Sequence, residues 1–142
     1  MEIKIFDSLP QEAKNIRRAV FIEEQKFTAE FDGIDERARH LVVFDKDDPV
    51  ATCRIYPQNK DGKTVHIIGR IAVIKEYRGK NIGSLVLKEA ESEIINSGGK
   101  VALLHSQCAA KDFYAKNGYT QVSKIDYDED CPHIWMSKQL SK

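Results

Sequence analysis

A basic, glycine-containing segment in the middle of the chain joins an apolar strand to an amphipathic helix. It reads Ile71-Ala72-Val73-Ile74-Lys75-Glu76-Tyr77-Arg78-Gly79-Lys80-Asn81-Ile82-Gly83-Ser84. The first turn of a helix carries backbone N–H groups without intrahelical partners, and with the helix dipole these favour a bound anion. Gly79 and Gly83 lack the Cβ that would keep a ligand from the backbone, and Arg78 and Lys80 add positive charge. This junction could therefore bind a phosphate group.

Such segments also form turns that bind nothing, so the pattern alone leaves a structural turn and a phosphate site open. Two common phosphate-binding motifs are excluded. No Gly-Lys-Ser/Thr follows at the spacing of a P-loop, and the Gly-x-Gly-x-x-Gly pattern of dinucleotide-binding folds is absent.

The composition limits the class of protein. With 142 residues, 42% of them hydrophobic, we expect a single compact domain spanning residues 1–142. The 22 acidic and 22 basic side chains balance, so nothing indicates a general attraction to nucleic acid or to a membrane surface. Three widely spaced cysteines without a Cys-x-x-Cys pair suggest reduced thiols and no metal site. No apolar run has the length of a signal peptide core or a membrane span, and we expect a cytoplasmic protein.

The elements that position the segment follow from hydrophobic periodicity. Strands are predicted at 2–6, 40–45, 50–56, 64–74, 101–104, 119–126 and 134–139. Helices are predicted from about residue 8 to 24 or 25, from 82 to the Gly98-Gly99 pair, and over 107–117, with a loop or further short helix within 26–39. This order predicts an α/β (α+β) fold. It contains a mixed, mostly antiparallel sheet of six or seven strands, a central parallel pair formed by a strand, helix, strand crossover, and about four flanking helices.

The basic segment resembles the acyl-CoA pyrophosphate loop of the Gcn5-related N-acetyltransferase (GNAT) superfamily, whose pattern is Gln/Arg-x-x-Gly-x-Gly/Ala. The pattern falls on residues 78–83, with Asn81 where the family usually has its first glycine. Asparagine tolerates a left-handed backbone and caps helices, so this departure fits the same geometry. The segment Phe113-Tyr114-Ala115-Lys116-Asn117-Gly118-Tyr119 and the order of elements extend the resemblance over nearly the whole chain.

More loosely, other segments resemble the ElaA-like branch of that superfamily. They are Val20 to Gln25, Asp32 to Asp35 followed by His40, Leu104 to Gln107, and His133 with Met136.

The resemblance implies that acetyl-CoA is the cosubstrate, with its pyrophosphate on the backbone N–H groups from Lys80 to Ser84 and with Arg78 outside. The pantothenate arm would lie against the strand before the loop, which in this family splays from its parallel neighbour. A backbone N–H there could stabilise a developing oxyanion. The implied cofactor-binding residues are Ile71, Ala72, Val73, Arg78, Gly79, Lys80, Asn81, Ile82, Gly83 and Ser84.

Acyl transfer to an amine needs a neutral amine, a polarised thioester and a proton for the departing thiolate. Tyr114 is the candidate proton donor, because the ordinary tyrosine pKa, ~10, exceeds that of a thiol, ~8.5; the alternative is that Tyr114 is a core side chain. Glu24 and His105 are candidate general bases. His40 and His133 are less favoured ones, since both begin strands.

Acidic residues could attract a cationic amine to the site: Asp32, Asp35, Glu36 and the run from Asp126 to Asp130. For that run, solvated turns are the simpler explanation. Cys108 could carry an acyl group in a ping-pong route, although nothing in the sequence activates it.

The sequence thus predicts an N-acetyltransferase that moves the acetyl group of acetyl-CoA to a primary amine of a small molecule or peptide by direct attack in a ternary complex. Two alternatives remain: a non-catalytic acyl-CoA-binding module of the same fold, and an α/β protein that binds another phosphorylated ligand. An exposed sheet edge could also pair two chains into a homodimer.

Overall fold

The sheet is the scaffold of the molecule, which we describe from a computed structural model over residues 1–28 and 30–140. Its eight strands in this part of the chain are β1 (Glu2–Phe6), β2 (Arg39–Asp45), β3 (Asp48–Lys60), β4 (Lys63–Val73), β5 (Val101–Gln107), β6 (Thr120–Gln121), β7 (Asp126–Asp128) and β8 (Cys131–Gln139). They lie in the order β1-β2-β3-β4-β5-β8-β6, and β7 also pairs with β8. The described pairings are antiparallel except that of β4 with β5.

Three α-helices accompany the sheet in the described residues: α1 (Gln11–Arg17), α2 (Ile82–Asn96) and α3 (Lys111–Lys116). A π-helical segment, Arg18–Glu24, continues α1, and short 3-10 turns lie at Gly33–Glu36, Lys75–Tyr77 and Cys108–Ala110. None of the helices in the described ranges is long and apolar enough to cross a membrane.

The predicted mixed sheet with a parallel pair is confirmed, although its details differ. The strand predicted over 119–126 is two short strands, β6 and β7, because Val122 and Ile125 between them are exposed rather than packed. Against about four predicted helices, the described residues form three α-helices and a π-helical continuation of α1. The described part of the segment 26–39 contains the 3-10 turn, which Asp32 and Asp35 close through a capping box.

Helices cover both faces of the sheet. On β2, Leu41 and Val43 belong to the cluster under α2, whereas Val42 and Phe44 pack against α1, as the alternation of side chains along a strand requires. The buried stripe of α2 consists of Ile82, Val86, Leu87, Ala90 and Ile94. The helix ends before Gly98, as predicted, and the φ of 87° at Gly98 is the left-handed conformation typical of a glycine at a helix terminus.

The parallel pair separates soon after it forms. β4 and β5 pair at His66 with Ala102 and at Ile67 with Leu103, and beyond these positions the two strands diverge. A bulge accompanies the divergence: Thr52 of β3 faces Ala72, but Arg54 faces Gly69, so β4 contains one extra residue. Arg70 within the bulge has a φ of 51°. The carboxyl ends of β4 and β5 therefore border an open gap beside the predicted loop.

Candidate active site

The loop between β4 and α2 presents backbone donors toward this gap. After the 3-10 turn, Gly79 has a φ of 77° and Asn81 a φ of 62°, so the chain reverses into the first turn of α2. Leu85 N–H donates the first intrahelical bond, to the Asn81 carbonyl. The N–H groups of Ile82, Gly83 and Ser84 consequently have no partner within the helix. Asn81 takes the left-handed backbone conformation that the sequence suggested, but its side chain makes no capping bond.

Gly83 has a packing role that the sequence analysis missed. A Cβ built on it would lie 3.0 Å from Cζ of Phe113, so the first turn of α2 rests directly on the Phe113 ring. Gly79 has no atom within 4 Å of the corresponding position and is required for its positive φ.

A cleft of about 630 Å³, which we call the loop cleft, runs from this turn along the end of β4. Nine of the ten residues predicted to bind the cofactor line it: Ile71, Ala72, Val73, Arg78, Gly79, Asn81, Ile82, Gly83 and Ser84. Lys80 instead places its ammonium over the Tyr77 ring, 4.8 Å from the centroid. Phe113, Lys116 and Asn117 of the α3 region form the opposite wall. The residues singled out from the loop pattern are thus brought together in one cleft.

A second space, the central cavity, continues the loop cleft into the gap between β4 and β5. It encloses about 190 Å³ and shares Gln25, Ile71 and Ala110 with the loop cleft. Of the predicted catalytic residues, Tyr114 and His105 line it. Glu24 does not line the central cavity. Its carboxylate accepts hydrogen bonds of 2.6 and 2.7 Å from the guanidinium of Arg78.

Tyr114 is protonated at neutral pH. Burial raises the pKa of its hydroxyl well above the usual range, with a smaller contribution from nearby Cys53. Its ring packs edge to face against Phe113 and Tyr119, with centroids 5.1 and 6.2 Å away. The side chain is therefore part of the core and also borders the central cavity.

Glu24 is held in its charged form. Hydrogen bonds from Arg78 lower its pKa, which makes this carboxylate a weaker base than a free one. A role in positioning the loop fits the geometry better than proton abstraction.

His105 stands in an aromatic stack on β5 and β8. Its ring lies 4.6 Å from that of His133 and 4.6 Å from that of Trp135, and its Nε2 is 2.7 Å from Oδ1 of Asp126. His133 is buried and its Nδ1 lies 2.9 Å from the Cys131 carbonyl oxygen. His133 lines the central cavity as well. The fourth candidate, His40, is buried with Nε2 against the Asp35 carbonyl.

A third space, the side cavity, adjoins the central cavity. Its lining residues are Phe21, Phe27, Glu30, Arg70, Gln107, Asp128, Glu129 and His133. Phe21, Arg70, Gln107 and His133 border both spaces. Across their junction the Gln107 side-chain amide donates to Oε1 of Gln25 over 2.8 Å. Above the side cavity, Glu129 accepts bonds from the backbone N–H and hydroxyl of Thr28, which joins the loop after Glu24 to the β7–β8 hairpin.

The predicted acidic mouth is wrong for Asp32 and Asp35, because these carboxylates belong to a network of ion pairs. The network contains Arg17, Glu30, Asp32, Asp35, Arg54 and Arg70. Arg17 binds Asp35 at 2.7 Å and Glu30 at 2.9 Å, and both partners are nearly inaccessible. Burial alone would raise the pKa values of Asp32 and Asp35, but the arginines outweigh it and lower them. The network holds the segment 30–35 against the bulge of β4 rather than attracting a ligand.

Three residues of the site carried no role in the sequence analysis: Gln25, Arg70 and Gln107. The glutamines lay in segments that resemble the ElaA-like branch, but sequence spacing could not reveal that they meet. A glycine within a strand pattern often marks a β-bulge. Gly69 was therefore the sequence signal for the bulge that contains Arg70. Across the described residues, no group of three or more His, Cys, Asp or Glu side chains could hold a metal ion.

Comparison with known proteins assigns the family. The sequence profile described as the acetyltransferase (GNAT) domain matches residues 7–140. The Bacillus subtilis protein YyaT is 35% identical over 137 residues, which cover 92% of this chain and 89% of YyaT. The Escherichia coli protein ElaA is 30% identical over 129 residues, covering 88% of this chain and 84% of ElaA.

Solved structures agree with this assignment. The crystal structure of E. coli ElaA superimposes with a TM-score of 0.85 over 98% of this chain and 100% of ElaA, at 26% identity. An aminoglycoside 6'-N-acetyltransferase, solved in complex with coenzyme A, shares the fold with a TM-score of 0.79 and 20% identity, over 100% of this chain and 98% of that one. The chain belongs to the GNAT acetyltransferase family.

Proposed function

We propose that the protein is an N-acetyltransferase that transfers the acetyl group of acetyl-CoA to a primary amine of a small molecule or peptide, by direct attack in a ternary complex. The observation that carries this proposal is the continuity of the three spaces. The central cavity, which Tyr114 lines, shares lining residues with the loop cleft and with the side cavity. We infer that each of two substrates uses one of these two approaches.

The loop cleft suits the nucleotide half of acetyl-CoA. The three backbone N–H groups at the start of α2 and the helix dipole favour the pyrophosphate. Beyond them, the described residues pair β4 with β5 only at His66 and Ile67, which leaves the backbone near Ile71 free to bind the pantetheine amides. Coenzyme A is the ligand of the aminoglycoside acetyltransferase of the same fold, and we extend it to this chain because of this loop geometry.

Tyr114 is proposed as the proton donor to the departing thiolate. The neutral amine attacks the thioester carbonyl, a C–N bond forms, and the C–S bond breaks as the tetrahedral intermediate collapses. The sulfur takes the phenolic proton, and the proton released from the acylated nitrogen replaces it through solvent. The high pKa of Tyr114 keeps the proton available, while the transfer itself relies on the local environment to stabilise the phenolate briefly.

Calorimetric titration with acetyl-CoA tests the cosubstrate. It compares wild type with two variants that add the same carboxylate at different positions of α2. Ser84→Glu adds a carboxylate in the first turn of α2, inside the loop cleft. Ser92→Glu adds the same group to an exposed position of the same helix, away from the cleft. An acidic residue near a helix N-terminus does not destabilise the helix, so Ser84→Glu should fold normally.

We expect wild type and Ser92→Glu to bind acetyl-CoA alike and Ser84→Glu to lose at least ~10-fold in affinity, through repulsion and bulk at the pyrophosphate. Release of free thiol in the presence of primary amines then distinguishes an enzyme from a non-catalytic CoA-binding module. Equal binding by all three proteins would remove the loop from the proposed site. No binding by folded wild type would overturn the function, and a nucleotide that competes successfully would support a different phosphorylated ligand.

A further inference from the structure

We propose that His133 is the general base that removes the proton from the acceptor ammonium, acting through Nε2. This inference rests on the proposed function and deepens it, because neither the family assignment nor the loop geometry identifies a base. It starts from position: His133 is 6% exposed and lines both the central cavity and the side cavity. An amine that approaches Tyr114 through the side cavity therefore passes the imidazole.

The hydrogen bond at Nδ1 fixes which nitrogen can act as a base. Nδ1 of His133 lies 2.9 Å from the backbone carbonyl oxygen of Cys131. A carbonyl oxygen only accepts hydrogen bonds, so Nδ1 carries the hydrogen. In the neutral ring, the lone pair must then be on Nε2. The β7–β8 hairpin thus holds this histidine as a ready proton acceptor.

His105 borders the central cavity but not the side cavity, so His133 is the imidazole that an amine in the side cavity meets. The two rings are stacked with centroids 4.6 Å apart and planes inclined by 29°. Nε2 of His105 is 2.7 Å from the Asp126 carboxylate. The Trp135 ring also stacks on the His105 ring. Asp126 is also the register partner of His133 between β7 and β8. The His133 ring is therefore held both by this stacking and by its hydrogen bond to the Cys131 carbonyl.

Three carboxylates near the site are engaged by other partners. Glu24 is paired with Arg78, and Glu30 with Arg17 and Arg70. Glu129 accepts from Thr28. Asp128 borders the side cavity but not the central cavity. It is the other candidate for the general base, and an experiment must exclude it.

The proposed step is balanced. The ammonium R–NH3+ gives one proton to Nε2 of His133, leaving R–NH2 and an imidazolium. The amine lone pair forms the C–N bond, and the thiolate leaves with the Tyr114 proton. The acylated nitrogen then loses a second proton, which reprotonates the Tyr114 oxygen through solvent. The imidazolium releases its proton to solvent. The products are R–NH–acetyl, CoA–SH and one free proton.

The test compares acceptors that do and do not need a base. His133→Asn keeps an amide N–H that can donate to the Cys131 carbonyl but removes Nε2. Its rates are measured on the best acceptor from a panel of cationic primary amines (2-phenylethylamine, tyramine, n-butylamine and spermidine) and on hydroxylamine, which is largely neutral at neutral pH. We expect kcat/KM for the cationic amine to fall by ~10²-fold or more, while hydroxylamine changes by less than ~5-fold. Asp128→Asn tests the competing candidate: if Asp128 were the base, this variant, and not His133→Asn, would lose the cationic amine selectively.

A purely structural role for His133 would lower both rates together and would overturn the proposal, as would an unchanged His133→Asn or a selective loss in Asp128→Asn. If folded wild type transfers acetyl to no amine, including hydroxylamine, the proposed function is wrong, and the proposed role of His133 is wrong with it. A further readout needs no activity: the ¹⁵N NMR spectrum of the labelled full chain should show neutral His133 protonated at Nδ1. A hydrogen on Nε2 would exclude the mechanism.

Discussion

Arg78, which lines the loop cleft, is joined to Glu24 by two hydrogen bonds, of 2.6 and 2.7 Å, between the ends of their side chains. Nε of the same guanidinium donates to the Val73 carbonyl over 3.0 Å. Arg78 therefore ties the π-helical segment to the end of β4, beside the first turn of α2. We propose that Glu24 orients this loop rather than acting as the base.

Glu24→Gln should consequently retain catalysis. The amide can still accept one bond from Arg78, and the pair is partly exposed, so the stability lost should be no more than ~1 kcal/mol. We expect kcat to remain within ~3-fold of wild type, with any change appearing in KM for acetyl-CoA as the loop loosens. Steady-state kinetics on wild type and variant measure both. A fall in kcat of ~10²-fold with unchanged acetyl-CoA affinity would restore Glu24 as the base.

Tyr114→Phe should reduce turnover without reducing binding. The phenyl ring preserves the packing against Phe113 and Tyr119, while the only donor proposed for the thiolate is lost. We expect kcat to fall by ~10²-fold and the acetyl-CoA affinity by calorimetry to stay the same.

Tyr119→Phe is the matched control. That neighbouring hydroxyl donates to Glu91, at the edge of α2 and away from the cavities. Its removal should cost ~1 kcal/mol of stability and leave kcat unchanged. Equal loss of activity in the two variants would show that packing, not proton donation, explains the effect of Tyr114.

The loop and the crossover were predictable because their signals are local in sequence. The basic turn is adjacent to the helix it begins, and the strand, helix, strand order fixes the parallel pair. The positive φ of Asn81 also follows from a local preference.

The ion-pair network was not predictable in the same way, because burial of Asp35 depends on Arg17, eighteen residues away. One signal was nevertheless present: Arg17 lies on the same helical face as Ala13 and Val20, which are core residues. A charged residue in that stripe needs a buried partner. The Gln25 to Gln107 bond spans 82 residues and has no comparable local sign.

Gly83 offers a test of helix packing at the loop. Gly83→Ala would place a Cβ 3.0 Å from the Phe113 ring, so either α2 or the ring must move. We expect a loss of ~1–3 kcal/mol in unfolding free energy, measured by urea denaturation. Gly33→Ala is the control, since no atom lies within 4 Å of the added carbon and its backbone is not left-handed. If contact with the ring is the cause, the smaller side chain in Gly83→Ala/Phe113→Leu should recover part of the loss. No recovery would point to the backbone instead.

Arg17→Met should be the most destabilising of these changes. It leaves the carboxylates of Glu30 and Asp35 buried without their main partner, and removal of one member of a buried ion pair typically costs ~3–5 kcal/mol. Arg18→Met, one residue along and exposed, should stay within ~0.5 kcal/mol of wild type by urea denaturation.

The cost of Arg17→Met should also depend on pH, with a definite sign. Burial opposes the charged form of Asp35, but Arg17 and Arg54 outweigh it and hold the pKa below its ordinary value. A carboxyl group with a lowered pKa stabilises the fold above the unfolded-state pKa, ~3.9, and loses that contribution as the pH falls through the folded-state value. The difference in unfolding free energy between wild type and Arg17→Met should therefore shrink in acid, as the carboxyl groups that Arg17 binds become protonated. A difference that persists undiminished in acid would mean that Arg17 acts through packing of its side chain, against the Phe31 ring 4.9 Å away, rather than through charge.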